Sequence, residues 1–502
     1  MPLNRKEALE FGMARSFSIL HLSDLHRDIK NEVSNLSLIT SLLRDRNQHQ
    51  LELPAIPPPD LCIVSGDLIY GAAPKRVDAE TELARQYDQT KEFLIALADN
   101  FFSGDRSRIV LIPGNHDIAY CTVANSLTKI EIPDDSKSKG ELVAEFFSPR
   151  TQLRWSWSEL CFYRIKDEEK YGSSLGAFAS MYEGFYQGAR KFSVEPSDQY
   201  DVFDFPDLEF SIAALNSCYR NDPLNRTASF HPEALIKVCE KLRAPERSGW
   251  LLGATWHHSV LGAPQETDYL DSGFLQLLIE TGVSLGFHGH QHYPECVDER
   301  HRIGLDNRKI SLVSAGTLCA GPGYLPTGIN RGYNIVQVIP EEASVTVHQR
   351  QMVSGMDLIP LWGPGHFIST QKSSITFDIA PPLKSRPKDL DIQLTLLNAD
   401  ALIGAKQWKQ AYELLAPRAT DTNIQVRLYL TRALEELADP LLTIQTLVEP
   451  RTNHEAVVIA GAILEAKSQS YASSFLSLSF VKDTTDPSVL SMVQRIKERF
   501  RI

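Results

Sequence analysis

Cysteine is scarce in this sequence, and its spacing excludes the common cysteine-based scaffolds. The seven cysteines are scattered along 502 residues, and no two have the CxxC spacing of a zinc knuckle or a redox pair. An odd number of isolated cysteines is typical of reduced thiols in the cytosol rather than of a disulfide framework. Residues 1–16 also lack the apolar core of a secretory signal, so we expect a cytoplasmic protein.

Two further absences narrow the class of protein. No apolar run approaches the roughly 20 residues of a membrane helix, so the sequence predicts no membrane partner. Lys and Arg number 51 against 63 Asp and Glu, and the net charge of −12 argues against a broad nucleic-acid-coating surface, leaving room only for a local basic groove. The length exceeds what one hydrophobic core usually supports, which predicts at least two domains.

Polar side chains suited to metal binding follow the apolar strands of the N-terminal part. The strands at 17–22, 60–65 and 109–112 run into Ser23-Asp24-Leu25-His26, Gly66-Asp67 and Pro113-Gly114-Asn115-His116-Asp117. Helical spacing over residues 78–100 joins the second strand to the third. Strand, polar turn and helix therefore alternate, which predicts a mostly parallel sheet with a ligand site at the carboxyl ends of its strands.

The same pattern returns in the middle of the chain. The strand at 250–256 runs into His257-His258-Ser259, and the strand at 283–287 runs into His288-Gly289-His290-Gln291-His292. Further strands are predicted at 310–318 and at 333–350, the latter as a hairpin. Any one of these strand ends could hold a helix cap or a surface histidine, but five of them together indicate a binuclear metal site.

Between these two blocks, residues 118–205 do not continue the alternation. They contain acidic clusters and many aromatic residues. We interpret the segment as a largely helical insertion or cap with a small core of its own. The alternative is an aromatic wall beside the site that stacks on a base or another ring.

In this order, the five motifs resemble those of the calcineurin-like metallophosphoesterase superfamily, over roughly residues 15–350. The resemblance implies an α/β fold, namely a four-layer α/β/β/α sandwich, with two divalent metal ions at the carboxyl ends of the central strands. It implies hydrolysis of phosphoric esters, in which a hydroxide that bridges the ions attacks phosphorus. Mixed Asp, Asn and His ligands without thiolates suit Mn²⁺, which we expect first, or Fe or Zn²⁺.

The resemblance also assigns a role to each motif residue. The ligands of one metal would be Asp24, His26, Asp67 and His292. Asp67 would bridge to the second metal, whose other ligands would be Asn115, His257 and His290. His116 would be the general acid that protonates the leaving oxygen, and Asp117 would orient it. The family places its ligand first in the His257-His258 doublet, although Ser259 here replaces the usual proline after it; His288 has no role in the pattern.

The expected substrate class depends on arginines that are missing. The protein Ser/Thr phosphatase branch has an Arg shortly after Gly-Asp and another after Asn-His, whereas this chain continues with Leu68-Ile69-Tyr70-Gly71 and with Asp117. Those arginines favour monoester dianions, so we expect a phosphodiesterase acting on a nucleotide or a similar diester. A metal-dependent DNA or RNA nuclease of the repair branch is the alternative. A phosphomonoesterase, or a non-catalytic scaffold that has kept every ligand position, is disfavoured.

The composition changes after the phosphoesterase domain, which we place at residues 1–350. Residues 351–388 hold scattered Gly and Pro and are interpreted as a linker that lays one strand, 374–379, on the first domain. Residues 389–502 have a helical period and an internal repeat, which aligns 405–418 with 438–451 at an offset of 33 residues. This offset resembles the ~34 residues of a tetratricopeptide repeat and predicts a helical domain that binds a protein partner; a plain helical bundle is the alternative.

Overall fold

The computed structural model describes residues 16–28, 33–74, 76–148, 151–262, 268–300, 308–353, 360–382, 388–420 and 423–502. Contacts divide the chain into an N-terminal unit, Met1–Arg386, and a C-terminal unit, Pro387–Ile502. In these described ranges, no helix combines the length and the apolar character needed to cross a membrane.

The N-terminal unit contains all the described strands and the first eight α-helices. The strands, in chain order, are β1 (Phe17–Leu22), β2 (Leu61–Val64), β3 (Ile109–Leu111), β4 (Leu127–Ile130), β5 (Leu153–Ser156), β6 (Cys161–Ile165), β7 (Tyr200–Phe205), β8 (Phe210–Leu215), β9 (Leu251–Thr255), β10 (Val283–His288), β11 (Glu295–Arg300), β12 (Lys309–Ser314), β13 (Gly332–Ile339), β14 (Ser344–Met352), β15 (Trp362–Pro364) and β16 (Ser374–Asp378). The helices are α1 (Asn35–Arg46), α2 (Ala79–Phe101), α3 (Tyr120–Ser126), α4 (Ser136–Phe146), α5 (Glu168–Gly172), α6 (Gly176–Phe185), α7 (Pro232–Leu242) and α8 (Gly273–Thr281).

Two mixed sheets form the centre of this unit. The first has the order β15-β14-β13-β1-β2-β3, with β16 also paired to β14, and the second has the order β11-β12-β10-β9-β8-β7. In the first sheet β1, β2 and β3 are parallel, and in the second β8, β9, β10 and β12 are parallel. The strands that carry the motifs are therefore parallel neighbours, and the antiparallel strands of each sheet lie outside them. Parallel strands are buried on both faces, which explains why they read as continuous apolar runs.

The core lies between the sheets and beneath the helices. The rings of Phe17 on β1 and Phe210 on β8 are 5.1 Å apart, and the rings of His21 and Phe287 are 5.2 Å apart. Apolar side chains of α1 and α2 pack on the first sheet, and α7 and α8 contact strands of the second. The predicted α/β fold, with two central sheets covered by helices, is confirmed.

The segment 118–205 differs from the predicted helical insertion with a core of its own. It contains α3 to α6, but it also contains a three-stranded antiparallel sheet of order β4-β6-β5. Helix α6 contacts α2, and its buried side chains Phe178, Tyr182 and Phe185 belong to the main core. The aromatic residues of α6 are thus explained by packing against a helix that precedes them by about eighty residues, which no local pattern shows.

The stretch 351–388, predicted to be a linker, largely completes the first sheet. The predicted strand at 374–379 is confirmed as β16, which pairs antiparallel with β14. The end of β14 also pairs with β15, and Trp362, Phe367 and Ile379 are buried in the main core. The linker interpretation is therefore wrong for the described part of this stretch, because β15, which includes Gly363 and Pro364, and β16 both pair with β14.

The C-terminal unit is entirely helical where it is described. Its helices are α9 (Lys388–Gly404), α10 (Trp408–Leu415), α11 (Ile424–Leu437), α12 (Pro440–Thr446), α13 (Asn453–Ala466), α14 (Gln469–Ser477), α15 (Ser479–Lys482) and α16 (Pro487–Phe500). They enclose a separate apolar core. Of the aligned repeat positions, Ala411 on α10 and Ile444 on α12 are both buried, but Val448, which follows α12 and aligns with buried Leu415, is 66% exposed.

Candidate metal centre

The carboxyl ends of five central strands meet at one edge of the two sheets. Asp24 and His26 follow β1, Asp67 follows β2, and Asn115 and His116 follow β3. From the second sheet, His257 follows β9, and His290 and His292 follow β10. Each of the seven side chains predicted as metal ligands makes a short contact with at least one other of the seven. His116 lies beside them.

A first group of donor atoms surrounds the Asp24 carboxylate. Asp24 Oδ1 lies 3.2 Å from His292 Nε2 and 3.8 Å from His26 Nε2. His26 Nε2 is also 3.4 Å from His292 Nε2 and 3.8 Å from Asp67 Oδ2. The side chains of Asp24, His26 and His292 thus present ligand atoms that lie within 4.8 Å of one another.

A second group surrounds the Asn115 side chain. Asn115 Oδ1 lies 3.1 Å from His257 Nε2 and 3.1 Å from His290 Nδ1. His257 Nε2 is 3.2 Å from Asp67 Oδ2, the same oxygen that approaches His26. Asp67 therefore stands between the two groups, as a bridging ligand would.

The backbone at these strand ends is held in an uncommon conformation. Asp24, His26, Asp67, His290 and His292 all have positive φ, between 41° and 70°. Such conformations cost of order 1–3 kcal/mol each in non-glycine residues, and they persist only where the surroundings impose them. The five residues turn their side chains toward a common centre at the expense of local backbone energy.

Two glycines make room for the ligands. A Cβ atom on Gly289 would lie 1.7 Å from Ser23 Oγ and 2.6 Å from Asp24 Oδ2. A Cβ atom on Gly66, whose φ is +94°, would lie 2.5 Å from His257 Nδ1. The glycines of the Gly-Asp and Gly-His-x-His motifs are thus both required by close approach, and Gly66 also by its positive φ.

Contacts with carbonyl groups orient two histidines so that Nε2 of each faces the centre. His292 Nδ1 is 2.8 Å from the Tyr324 carbonyl, and His257 Nδ1 is 2.8 Å from the Ser65 carbonyl. Because a carbonyl only accepts, each Nδ1 carries the proton, and in the neutral ring each Nε2 presents a lone pair. Those lone pairs face carboxylate oxygens, which is favourable only when a proton or a metal ion lies between them.

The ionisation of the buried groups follows the same logic. Burial alone would lower the pKa of His257, but Asp67 and Asp24 outweigh it and raise the pKa to about 9. Burial is likewise outweighed at His292, where Asp24 raises the pKa to about 9. Burial would raise the pKa of Asp67, yet His257 and His116 hold it well below its usual range. The centre attracts positive charge, and its mixed carboxylate, amide and imidazole donors fit divalent metal ions such as Mn²⁺, Fe²⁺ or Zn²⁺.

His116 stands beside this centre, but Asp117 does not orient it. His116 Nδ1 lies 2.7 Å from the Tyr70 carbonyl, and its main-chain N–H donates to Asp67 Oδ1 at 2.9 Å. The Asp117 carboxylate instead accepts from the main-chain N–H groups of Leu68 and Gly114 and from the Tyr87 hydroxyl. Burial and the nearby Asp67 raise the pKa of Asp117 to about 7.

The orienting role predicted for Asp117 therefore falls to the carbonyl of Tyr70. Asp117 closes the turn that begins at Gly114, so its carboxylate points back into the loop. Its contribution is to fix the loop between β3 and α3 against the Gly-Asp loop, not to bind the imidazole.

The histidine doublet is resolved by contacts. His257 faces Asp67 and Asn115, whereas His258 Nδ1 lies 2.9 Å from Ser217 Oγ. His288 has its Nδ1 3.3 Å from the Gly289 carbonyl, and its ring is stacked on Trp256 at 6.3 Å. The structure thus places His257 against Asp67 and Asn115, while His258 contacts Ser217 and, at 4.6 Å between ring centroids, His290.

Several residues that border the centre are not among the predicted ones. Tyr70 and Tyr324 hold His116 and His292 through their carbonyls. Asp268 Oδ2 lies 3.5 Å from His290 Nε2, on the side of the ring away from Asn115. Thr317, after β12, donates to the Asp24 carbonyl at 2.8 Å. Tyr70 could have been found from its place three residues after Asp67, and Thr317 from its place after a strand; Asp268 has no sequence signal.

The candidate metal centre and the α/β architecture are those of a metallophosphoesterase. The comparison of the sequence with known families gives the same class. The model of the calcineurin-like phosphoesterase family matches residues 17–294, more than half of the chain, and the chain belongs to this family. No curated protein matches the chain.

Similar solved structures have very low sequence identity. A dimetal phosphatase from Danio rerio is 11% identical, with a TM-score of 0.36 over 69% of this chain and 98% of that one. The calcineurin-like phosphoesterase YfkN from Bacillus subtilis is 12% identical, with a TM-score of 0.29 over 78% of this chain and 99% of that one. A single mutant of Vps29 from Entamoeba histolytica is 8% identical, with a TM-score of 0.25 over 72% of this chain and 99% of that one.

Proposed function

We propose that this metallophosphoesterase is a binuclear, Mn²⁺-dependent phosphodiesterase. The observation that carries the proposal is the convergence of Asp24 and Asp67 with the imidazole Nε2 atoms of His292 and His257, each 3.2 Å from a carboxylate oxygen. Asp24, His26, Asp67 and His292 would hold one ion. Asp67, Asn115, His257 and His290 would hold the other, and Asp67 would serve both.

The role of the ions is general to such sites. Two divalent ions held here would neutralise charge on the phosphoryl oxygens and lower the pKa of water enough to give a nucleophile near neutral pH. The residues of the protein would fix the ligand geometry, position the ester and supply a proton to the leaving oxygen.

His116 is the proposed proton donor. Its Nδ1–H is engaged by the Tyr70 carbonyl, so the proton that can be transferred is the one on Nε2. The side chain is half-buried rather than closed off, and its ring centroid lies 4.8 Å from that of the proposed ligand His26. A substrate phosphate at the metal centre would therefore have its leaving oxygen within reach of His116.

The proposed preference for diesters is supported by a positive charge that the Gly-Asp loop lacks. The Gly-Asp loop continues as Leu68-Ile69-Tyr70-Gly71, without the arginine that would bind a monoester dianion. Arg27, the residue after His26, is buried and donates to the Val33 carbonyl, while its other amino group lies 3.5 Å from Cys319 Sγ. Its guanidinium is thus engaged in holding the loop and does not replace the missing arginine.

The test is a comparison of substrates with the Mn²⁺-loaded protein. We expect turnover of bis-p-nitrophenyl phosphate and of nucleotide diesters to exceed that of p-nitrophenyl phosphate. Chelation should abolish turnover and Mn²⁺ should restore it. Preferential turnover of the monoester would contradict the diester assignment, and cleavage of DNA or RNA in preference to small diesters would favour a nuclease.

We further propose that the C-terminal unit is a short tetratricopeptide-like array that binds a protein partner. The helix pairs α9–α10, α11–α12 and α13–α14 are in contact, as helical hairpins of such an array would be. On α11, Ile424 and Leu428 lie one turn apart and are 64% and 52% exposed.

Removal of the C-terminal unit tests whether the N-terminal unit alone carries the catalytic activity. A chain ending at Arg386 retains β16 and the core residue Ile379, so it should remain folded and hydrolyse bis-p-nitrophenyl phosphate at the rate of the full chain. Loss of that turnover at full metal loading would show that the helical unit is needed for catalysis.

A further inference from the structure

Two tyrosines from distant loops support the centre through their main chains. The Tyr70 carbonyl accepts from His116, and the Tyr324 carbonyl accepts from His292. Tyr70 lies in the loop after β2, whereas Tyr324 lies between β12 and β13. One tyrosine therefore lies beside the proposed proton donor, His116, and the other beside the proposed ligand His292.

Their side chains join across this side of the site. The Tyr70 and Tyr324 hydroxyls are hydrogen-bonded to each other, and the two rings meet edge to face at 5.9 Å. The Tyr70 ring lies 5.9 Å from the His116 ring and 6.2 Å from the His26 ring. The pair thus borders the centre on the side where His116 and His26 lie.

The exposure of the pair is not explained by packing. Tyr70 is 38% exposed and Tyr324 is 56% exposed, whereas most aromatic residues of α6 are buried in the core. An exposed aromatic pair with polar tips offers a π-face to a flat ring and hydroxyl groups to the polar edge of that ring. A lipid chain would use neither the ring faces nor the hydroxyls in this way.

We propose that Tyr70 and Tyr324 bind the leaving group of the substrate, and that this group is a nucleoside whose base stacks on the pair. The inference rests on the proposed phosphodiesterase function and on His116 as the donor to the leaving oxygen. It assigns the substrate class as a nucleotide phosphodiester, with specificity determined on the leaving-group side. The tyrosine rings are specificity-determining groups, separate from the carbonyl contacts that position His116 and His292.

The test uses three substrates with closely similar leaving alcohols. They are thymidylyl-thymidine and two analogues, each of which lacks the base on one of the two sugars; product analysis identifies the leaving side. We expect the wild-type protein with Mn²⁺ to lose about tenfold or more in kcat/KM when the base is removed from the leaving side, since stacking on an aromatic side chain is worth that much per base. Removal of the other base should have a much smaller effect.

Variants of the tyrosines separate the ring from the hydroxyl. Tyr70→Ala and Tyr324→Ala should lose the preference for the leaving-side base, mainly through KM, while metal content and thermal stability remain near those of the wild type. Tyr70→Phe and Tyr324→Phe keep the rings and should keep most of the preference. These conservative variants also show whether an effect of the alanine variants is due only to misfolding.

The outcomes distinguish the inference from the function on which it rests. If the wild-type protein hydrolyses all three diesters equally well, or if the alanine variants keep the preference, the proposed stacking site is wrong and the phosphodiesterase assignment stands. If the metal-loaded protein hydrolyses no diester, the proposed function is wrong and the inference is overturned with it.

Discussion

Replacement of Gly114 by alanine should damage the metal centre without unfolding the protein. Gly114 has φ −115° and ψ −175°, an extended conformation that alanine adopts readily, so no backbone strain is expected. An added Cβ atom, however, would lie 2.2 Å from Asp67 Oδ1 and 2.3 Å from the Asp67 main-chain nitrogen. Real Cβ contacts are essentially never below 3.0 Å, so the Gly114 loop and the Gly-Asp loop must move apart, and Asp67 shifts relative to the rest of the centre.

The magnitude of the effect follows from the position of Asp67 between the two donor groups. A misplacement of about 1 Å can reduce catalysis by about 10²-fold, and a shift of a bridging ligand should also weaken binding of both ions. We therefore expect kcat/KM on bis-p-nitrophenyl phosphate to fall about 10²-fold, with reduced Mn²⁺ content by elemental analysis and an unchanged circular dichroism spectrum.

Gly140→Ala is the matched control for this substitution. Gly140 lies inside α4, and a Cβ atom there would meet no other atom within 4 Å. The same chemical change should therefore leave turnover intact and stabilise the helix by about 0.5–1 kcal/mol. Wild-type turnover and metal content in Gly114→Ala would refute the assignment of Asp67 to the centre.

Two further predictions address the proton donor and the buried charges. His116→Ala should lower turnover by about 10²–10⁴-fold while the metal content stays near that of the wild type, and the loss should shrink for substrates with good leaving groups; an emptied metal site would instead make His116 a ligand. Asp45→Asn should reduce the free energy of unfolding at neutral pH by at least about 2 kcal/mol, because burial of Asp45 is outweighed by its bonds from His49 and Arg350, which lower its pKa from 3.8 to about 2. A lowered carboxyl pKa stabilises the folded state above the ordinary pKa of that group. The difference in the free energy of unfolding between wild type and variant, measured with urea, should therefore be constant above pH 3.8 and shrink as the pH falls toward 2. A difference that does not depend on pH would contradict the ion pair.

The strands and the proposed ligand set could be predicted because their signals are local. An apolar run that stops at Gly-Asp or Pro-Gly-Asn-His marks both a strand and its end within a few residues. The parallel arrangement then brings the ends together, so Asp24, Asp67 and Asn115 could be grouped without knowing the sheet order. The structure groups the same residues by distance.

The remaining features depend on pairings between distant parts of the chain. Strand β1 pairs with β13, Tyr324 reaches Tyr70, and α6 packs on α2; none of these is visible in a local window. Asp117 shows a second reason why the sequence does not predict every contact. It neighbours His116 in sequence, but the turn from Gly114 to Asp117 closes on itself and directs the carboxylate away from the imidazole.

The central claim is that two divalent ions share Asp67, and Mn²⁺ stoichiometry measures it most directly. Elemental analysis of the wild-type protein after equilibration with saturating Mn²⁺ should give two ions per chain. Asp67→Asn, which keeps the size of the side chain and removes its charge, should weaken the binding of both ions, because both donor groups approach the same Asp67 oxygen. One ion or none in the wild-type protein, or an Asp67→Asn variant that loses one ion and keeps the other at full affinity, would contradict the binuclear centre.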